Sequence, residues 1–294
     1  MRRSMLFMPG NTPNMLVNAA YLGADSIIFD LEDAVSPAEK DVARILIRNT
    51  IRYMDFQNQE IIVRINSIDT TFWQADIDAV VPEKPNLLLL PKANRPEDVI
   101  LVDNYMTKVE EKAGIPIGSI GIMPLIETAL GLENSFLIAS ASKRVKAMLL
   151  GAEDLTADLQ CARTKEGKEI EYARGRIVVA ARAAGVDVYD TPFTNVNDDE
   201  GIITDTKFAK SLGFTGKASI SPRHVEVINN IFSPSQAEID YAYEVMDAIA
   251  LAKEQGKGAI ALRGKMIDAP IVARAERTIT AAKTLGLSRG GKDE

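Results

Sequence analysis

Short apolar segments recur along the chain and alternate with longer stretches whose hydrophobic residues are spaced as on a helix. Eight such segments are present: SMLFMPG from Ser4, DSIIFDLED from Asp25, EIIVRINS from Glu60, NLLLLPKA from Asn86, SIGIMPLIET from Ser119, VKAMLLGAED from Val145, VDVYDTPF from Val186 and GFTGKASISP from Gly213. Strands buried on both faces are continuously apolar, and their alternation with helices is typical of a parallel sheet. Eight strand–helix units predict a closed (β/α)8 TIM barrel. The competing fold is an open doubly wound sheet, but no Gly-x-Gly-x-x-Gly follows the early segments.

Two of the intervening stretches have clear helical periodicity. They are PAEKDVARILIRNTIRYM from Pro37 and EYARGRIVVAARAAG from Glu171, and the second should end at Gly185, because glycine commonly follows the last helical turn. The barrel should be complete near Asn230. We therefore predict a catalytic barrel domain over residues 1–232.

A C-terminal extension, residues 233–294, goes beyond what a barrel needs. The sequence predicts one long helix from Ser233 that ends at Gly256 and Gly258, then a short strand, a turn at 268–270 and a last helix. The alanine-rich helical pattern favours packing over disorder. We expect the extension either to cap the bottom of the barrel or to contact a neighbouring subunit.

Charge and cysteine content exclude several classes of protein. Lysine and arginine number 34 against 41 aspartates and glutamates, a net charge of −7, which argues against binding along a nucleic acid. The single cysteine, Cys161, excludes an internal disulfide and a cysteine metal cluster. The apolar run after Arg2 and Arg3 is too short for a signal sequence or a membrane span. We expect a cytoplasmic protein that does not enter a membrane.

Active sites of parallel barrels form at the C-terminal ends of the strands, so the residues that close each segment are the candidates for chemistry. They are Pro9 and Gly10; Asp30, Glu32 and Asp33; Arg64 and Asn66; Lys92; Glu127; Glu153 and Asp154; Asp190 and Thr191; and Ser219 or Ser221. Carboxylates that converge on one rim repel each other unless a cation offsets them. With one histidine and one cysteine, nitrogen and sulfur ligands for zinc are lacking, whereas Mg²⁺ takes one or two carboxylates with water and substrate oxygens.

Glu127 and Asp154 close consecutive predicted strands, which are neighbours in a barrel, and we predict that both bind Mg²⁺ directly. The alternative is that each begins a helix, where acidic residues are common because of the helix dipole. Gly151 would let backbone amides approach a ligand, and we assign Gly151, Ala152 and Glu153 to substrate contact.

Arg64 lies within an apolar strand, where a guanidinium is costly without a carboxylate partner. Its fork of N–H groups suits a bound carboxylate or an enolate oxygen, so we predict a substrate-binding and catalytic role. The alternative is a structural salt bridge to Asp30 or Glu32 on the preceding strand. Those two acids share one strand face, and we predict that they hold Arg64 and the water molecules bound to the metal.

Lys92 indicates a rival mechanism, because a lysine at the end of a barrel strand could form a Schiff base if burial lowered its pKa. Such an aldolase would need no metal. The alternative, which we favour, is an ion pair between Lys92 and a carboxylate of the site, a supporting role like that of Asp30 and Glu32.

Several motifs together resemble one family. They are RRSMLFMPGN, ADSIIFDLEDAVSPAEKDVAR, IVRIN, LLPKA, LIETALGL, LLGAEDLTADL, DTPFTNVND, GFTGKASISPRHVEVIN and GKMIDAPIVARA. In this order they are similar to the citrate lyase beta subunits, the malyl-CoA lyases and other citrate-lyase-like members of the HpcH/HpaI aldolase superfamily. The resemblance extends from Arg2 to the last predicted helix.

This resemblance implies a barrel with a C-terminal extension, assembly as a trimer or hexamer, and Mg²⁺ held by Glu127 and Asp154. It implies that Arg64 binds the keto-acid carboxylate and the thioester oxygen. Asp268 resembles the family residue that reaches into an adjacent subunit's site, and it is our candidate proton donor. By itself the sequence favours a turn residue before Pro270.

The implied reaction is the cleavage of a citryl thioester on acyl carrier protein to oxaloacetate and the acetyl thioester, with alpha and gamma (acyl carrier) subunits as partners. A malyl-CoA or citramalyl-CoA lyase that acts on free CoA thioesters is the alternative. A scaffold without activity is a third possibility, against which the joint presence of Arg64, Glu127 and Asp154 argues.

Overall fold

Eight parallel strands close into a barrel in chain order, with β8 returning to pair with β1. The computed structural model describes residues 2–254 and 261–290. The barrel strands are β1 Ser4–Pro9, β2 Ser26–Asp30, β3 Glu60–Arg64, β4 Leu87–Leu90, β5 Gly121–Ile126, β6 Ala147–Leu150, β7 Asp187–Asp190 and β8 Gly216–Ser219. Each lies within one of the eight apolar segments, so the predicted (β/α)8 barrel is confirmed.

Helices follow the strands along this first compact unit, which comprises residues 2–230. They are α1 Pro13–Asn18, α2 Lys40–Tyr53, α3 Trp73–Val80, α4 Pro96–Ala113, α5 Ala129–Glu133, α6 Ser135–Ala139, α7 Ala152–Asp158, α8 Glu171–Ala184, α9 Asp199–Leu212 and α10 Pro222–Phe232, whose last two residues belong to the second unit. Helix α8 ends as predicted, because Gly185 adopts the left-handed conformation with φ of 73°.

Alternate residues of the strands fill the inside of the barrel. They are Met5, Ile28, Ile62, Leu87, Leu89, Met123, Leu125, Ala147, Leu149, Tyr189 and Ala218, with Phe7 packed against them. The intervening residues, such as Ile27 and Phe29, are also fully buried. Burial on both faces explains the continuous apolar runs of strands such as β4 and β5, whereas β7 and β8 also carry the buried charged residues Asp190 and Lys217.

Polar contacts tie the N-terminal ends of the strands together. Arg2 donates to Asp187 at 3.0 Å and forms an ion pair with Glu60. Arg3 donates two hydrogen bonds to the Asp25 carboxylate, from Nε at 2.8 Å and from Nη2 at 2.7 Å. Contacts at this end of a parallel barrel serve stability, since the active site forms at the other end.

The described residues from 231 onward form a second compact unit. It contains α11 Gln236–Glu254, β9 Ala261–Leu262, β10 Lys265–Met266 and α12 Ala269–Thr284, with β9 and β10 antiparallel. The predicted single strand is therefore a pair of very short strands, and Ala269 and Pro270 belong to the first turn of α12. Gly256 and Gly258, predicted to end the long helix, lie outside the described residues. Among the described residues, no helix has the length and apolarity required to cross a membrane.

Candidate active site

Three charged residues continue the inward-facing rows of the barrel at its C-terminal end. Because strand side chains alternate, the residue two positions after an inward-facing one points the same way. The pairs are Ile28 with Asp30, Ile62 with Arg64, and Leu125 with Glu127. The sequence thus sends two acids and one arginine towards the mouth of the barrel from strands β2, β3 and β5.

Asp30 and Arg64 are direct neighbours in the register of β2 and β3. The Arg64 guanidinium donates from Nε to Asp30 Oδ1 at 2.7 Å and from Nη2 to Asp30 Oδ2 at 2.5 Å. Burial alone would lower the pKa of Arg64, but the hydrogen bonds and charge of Asp30 raise it, so the guanidinium stays charged. The Phe7 ring lies beneath it, with 5.1 Å between Arg64 Cζ and the ring centroid. The salt bridge anticipated as the structural alternative is present.

Glu32 connects Arg64 with Lys92. Arg64 Nη1 lies 3.1 Å from Glu32 Oε2, and Lys92 Nζ lies 3.4 Å from Glu32 Oε1. Burial would lower the pKa of Lys92, but Glu32 and Asp33 raise it above the ordinary lysine value. A Schiff-base nucleophile requires the opposite shift, so the electrostatics of Lys92 favour an ion pair over an aldolase.

Glu127 is an almost completely buried carboxylate, with an exposed fraction of 2%. Its Oε1 accepts the backbone N–H of Lys92 at 2.8 Å. Burial raises the pKa of Glu127 to about 8, and the nearby charges of Glu32 and Asp154 add to the increase. A buried acid with this pKa is a candidate for a functional site, and a cation would stabilise its charged form.

Gly151 precedes α7 and lies directly against Glu127. A Cβ atom on Gly151 would come within 2.7 Å of Glu127 Oε2 and within 2.8 Å of its Cβ. The glycine is therefore required here by close approach to Glu127, and its backbone is ordinary, with φ of −106° and ψ of 97°. Asp154 lies in the first turn of α7, which is the helix position anticipated as the alternative to a metal ligand.

A cavity of about 450 Å³ opens at this end of the barrel. Its lining includes Phe7, Pro9, Met15, Asp30, Asp33, Ala34, Arg64, Leu125, Glu127, Leu149, Leu150, Gly151, Ala152, Glu153, Asp154, Thr191, Pro192 and Ile220. Glu32 and Lys92, which were predicted to support the site, are outside this lining, and each contacts a residue of it: Glu32 contacts Arg64, and the Lys92 N–H contacts Glu127. The lining acids outnumber its one cation, Arg64, so the cavity favours a bound cation.

The donor set fits Mg²⁺. Glu127 and Asp154 offer hard carboxylate oxygens from two neighbouring βα units. Among the described residues, no larger group of three or more histidine, cysteine, aspartate or glutamate side chains is placed to hold a metal. A site with two carboxylates leaves the other coordination positions to water and substrate, as is usual for Mg²⁺.

The turn at Gly151 is already well hydrogen-bonded. Gly151 N–H donates to the Ile126 carbonyl at 2.9 Å, and Ala152 N–H donates to Thr191 Oγ1 at 3.1 Å. The sequence identifies Thr191 as a strand end, and its position two residues after inward-facing Tyr189 is the signal that it points into the barrel mouth. The predicted substrate contacts of this turn stay predictions.

Lys40 is a supporting residue that the sequence analysis missed. Its buried ammonium donates to the carbonyls of Leu31 at 2.7 Å and Glu32 at 2.6 Å, and so holds the turn that carries the acids after β2. The available signal was a lysine on the otherwise apolar face of α2.

Two other candidates are engaged in contacts of their own. Asp190, at the end of β7, is buried in ion pairs with Lys217 at 2.6 Å and Arg174 at 2.8 Å, and it is not part of the cavity lining. Asp268 belongs to the second unit, where it is exposed and its Oδ1 accepts the Ile271 N–H at 3.1 Å as the N-cap of α12. Its catalytic role stays a prediction.

Comparison with known proteins gives consistent matches. A family model described as HpcH/HpaI aldolase/citrate lyase matches residues 3–222. The citrate lyase subunit beta of Leuconostoc mesenteroides subsp. cremoris is 44% identical over 282 residues, which covers 96% of this chain and 93% of the relative. A (3S)-malyl-CoA thioesterase of Cereibacter sphaeroides is 32% identical over 287 residues, with 98% and 96% covered.

Solved structures agree with the fold. The structure of protein CitE from Mycobacterium tuberculosis, in complex with magnesium, acetoacetate and coenzyme A, has a TM-score of 0.77 and 29% sequence identity, and the match covers 96% of this chain and 98% of that one.

Proposed function

Because this chain belongs to the HpcH/HpaI aldolase/citrate lyase family, we propose that it is a magnesium-dependent carbon–carbon lyase that cleaves a citryl thioester to oxaloacetate and an acetyl thioester, as the beta subunit of a citrate lyase. The observation that carries this proposal is that Arg64, Glu127 and Asp154 line one cavity at the C-terminal end of the barrel. The 44% identical relative named citrate lyase subunit beta supports the substrate class.

The metal part of the proposal assigns Glu127 and Asp154 as the residues that hold Mg²⁺. The magnesium in the structure of the Mycobacterium tuberculosis relative supports this assignment. When bound, Mg²⁺ supplies Lewis-acid polarisation of substrate oxygens.

Among the side chains of the protein, Arg64 is the one that stabilises the negative charge formed during cleavage. The bond that breaks joins the hydroxyl-bearing carbon to the carbon next to the thioester, and negative charge develops on the thioester oxygen. Asp30 fixes the guanidinium before substrate arrives, so little reorganisation is needed when that charge appears. The buried apolar lining, including Leu125 and Leu149, limits water around the reacting carbon.

The hydroxyl proton is lost as the hydroxyl-bearing carbon becomes the carbonyl of oxaloacetate, and the carbon released next to the thioester gains a proton, so the cleavage takes up no proton overall. Protonation of the released carbon needs an acid. We assign this step to Asp268 of an adjacent subunit, which makes the active assembly a homotrimer or hexamer. An alpha subunit and an acyl carrier (gamma) subunit would supply the citryl thioester. The cleavage itself needs only this chain, its metal and the thioester.

A lyase assay on the purified chain tests the proposal. Citryl-CoA and malyl-CoA would be supplied with and without Mg²⁺, and oxaloacetate and glyoxylate would be measured. Magnesium-dependent oxaloacetate from citryl-CoA is the expected product. If citryl-CoA is inert, the same assay with citryl-loaded carrier protein decides, and failure with both would overturn the citryl proposal.

The second candidate is a lyase for malyl-CoA or citramalyl-CoA, which the 32% identical malyl-CoA thioesterase relative favours. Glyoxylate from malyl-CoA, without oxaloacetate from citryl-CoA, would select it. Borohydride trapping of substrate on Lys92 would instead establish the Schiff-base aldolase.

A further inference from the structure

Lys92 has an unusual backbone conformation for a lysine beside an active site. Its φ is 50°, in the left-handed region, which costs residues other than glycine about 1–2 kcal/mol. Asparagine tolerates this region better than other side chains, and β-branched residues tolerate it worst. A strained residue persists only where its surroundings hold it in place.

The surroundings of Lys92 do hold the turn after β4. Ala93 N–H donates to the Leu125 carbonyl at 3.3 Å, and Asn134 Nδ2 donates to the Asn94 carbonyl at 2.9 Å. Both contacts fasten this turn to β5 and to the helices that follow it. The N–H of Lys92 therefore has a fixed direction.

That direction is towards Glu127. The Lys92 N–H meets Glu127 Oε1 at 2.8 Å, while Gly151 bounds the carboxylate on its Oε2 side. In the described part of the chain, Oε2 accepts no hydrogen bond from protein. The Lys92 N–H occupies Oε1, and Gly151 leaves space beside Oε2, so Oε2 is the oxygen of Glu127 that is available to a cation.

The Lys92 ammonium is less constrained. Its side chain is 36% exposed, and its contact with Glu32 is long, at 3.4 Å. A partly exposed ion pair of this kind contributes little to the energy of a site.

We propose that Lys92 is a positioning residue whose left-handed backbone, and not its ammonium, orients Glu127 for Mg²⁺. The lysine acts through Glu127 and contacts neither metal nor substrate. This inference rests on the proposed function, because it requires Glu127 to be a magnesium ligand.

Four substitutions separate the backbone from the charge. Lys92→Gly and Lys92→Asn remove the ammonium but permit positive φ, whereas Lys92→Val and Lys92→Ile remove the ammonium and oppose positive φ. The readout is the Mg²⁺ dissociation constant of the full chain by titration calorimetry, with thermal unfolding in EDTA as the measure of folding.

We expect the glycine and asparagine variants to bind Mg²⁺ at least tenfold more tightly than the valine and isoleucine variants. A purely structural role would lower the unfolding temperature of Lys92→Val without separating the dissociation constants. Equally weak binding by Lys92→Gly and Lys92→Val would assign the effect to the ammonium and overturn the inference. Wild-type binding by Lys92→Val would overturn it as well.

The wild-type chain distinguishes this inference from the proposed function. If the wild type does not bind Mg²⁺, the metal assignment and this inference fail together. If the wild type binds Mg²⁺ and the four variants do not separate, only the role of the Lys92 backbone is wrong.

Discussion

Asp30 and Arg64 face each other across β2 and β3 and are joined by two hydrogen bonds of 2.7 and 2.5 Å. The pair is buried, and Asp30 also accepts the N–H of Glu32 at 2.8 Å. It combines a structural role, holding the turn after β2, with a chemical one, presenting a fixed guanidinium to the cavity.

The first prediction follows from this pair. In Asp30→Asn, Arg64 loses the carboxylate that accepts two of its hydrogen bonds and keeps the contacts of Nη1 with Glu32 and Asp33. We expect kcat/KM to fall about 100-fold because the guanidinium is less firmly held. The free energy of unfolding should fall by up to about 3–5 kcal/mol, since one partner of a buried ion pair is removed. Steady-state kinetics and urea denaturation measure the two effects.

Asp25→Asn is the matched control, because it weakens the forked Arg3–Asp25 pair at the other end of the barrel. It should reduce stability and leave kcat/KM within about threefold of the wild type, as expected for the stability end of the barrel. Equal kinetic losses in both variants would mean that the Asp30 effect is only structural.

The second prediction concerns the metal ligands. Glu127→Gln and Asp154→Asn should abolish magnesium-dependent turnover while the fold survives. Without Mg²⁺, Glu127→Gln should also be more stable than the wild type at pH 8, on the order of 1–3 kcal/mol, because the fold raises the pKa of Glu127 and so disfavours its charged form. Unchanged turnover in either purified variant would remove the metal assignment.

The third prediction is the pH dependence of magnesium binding. An acid with a pKa of about 8 is mostly protonated at pH 7, so Mg²⁺ must displace its proton. The dissociation constant for Mg²⁺ should therefore increase about tenfold for each pH unit below 8 and become constant above pH 8. Calorimetry in two buffers of different ionisation enthalpy should show up to one proton released per Mg²⁺ at pH 7. A dissociation constant that is flat from pH 6.5 to 8.5 would contradict the raised pKa.

The fourth prediction concerns Gly151. In Gly151→Ala the new Cβ would meet Glu127 Oε2 at 2.7 Å, although the backbone itself accepts alanine. We expect Mg²⁺ affinity to fall at least about tenfold as Glu127 is displaced. Titration calorimetry measures it.

Gly175→Ala provides the comparison, because Gly175 lies within α8 and a Cβ there meets open space. It should stabilise the chain by about 0.5–1 kcal/mol and leave Mg²⁺ affinity unchanged. If Gly151→Ala also binds Mg²⁺ normally, the glycine is not needed for the placement of Glu127.

The fifth prediction concerns Asp268. Asparagine is as good an N-cap as aspartate, so Asp268→Asn should keep α12 intact while it removes the acid. We expect a large loss of turnover with Mg²⁺ binding retained. After subunit exchange has been demonstrated, a mixture with Arg64→Ala should recover some activity, and a mixture that stays inactive would count against a shared site.

The barrel was predictable because strands buried on both faces, such as β4 and β5, carry an unbroken apolar signal, and because eight strand segments alternate with helical stretches. The strands β9 and β10 carry no such signal, since each has two residues and Met266 is exposed. The predicted turn at 268–270 was wrong because an aspartate with a proline two residues later also begins helices: Asp268 is the N-cap, and Pro270 lies in the first turn, where its missing N–H costs nothing.

The site was predictable as a set of residues but not as contacts. Alternation along β2, β3 and β5 sends Asp30, Arg64 and Glu127 to one rim, and this follows from the sequence. The left-handed backbone of Lys92 could not be predicted, because lysine carries no preference for positive φ. Neither could the contact of Gly151 with Glu127, which depends on how two neighbouring strands meet.

The pairing of β1 with β8 also constrains how the chain folds. Ser4 is aligned with Lys217, and Leu6 with Ser219, so the last strand pair joins segments more than about 200 residues apart. During synthesis β1 leaves the ribosome first and must wait for β8 before its second edge is covered. Until then an open sheet would expose an unpaired strand edge, a feature that favours aggregation of the incomplete chain.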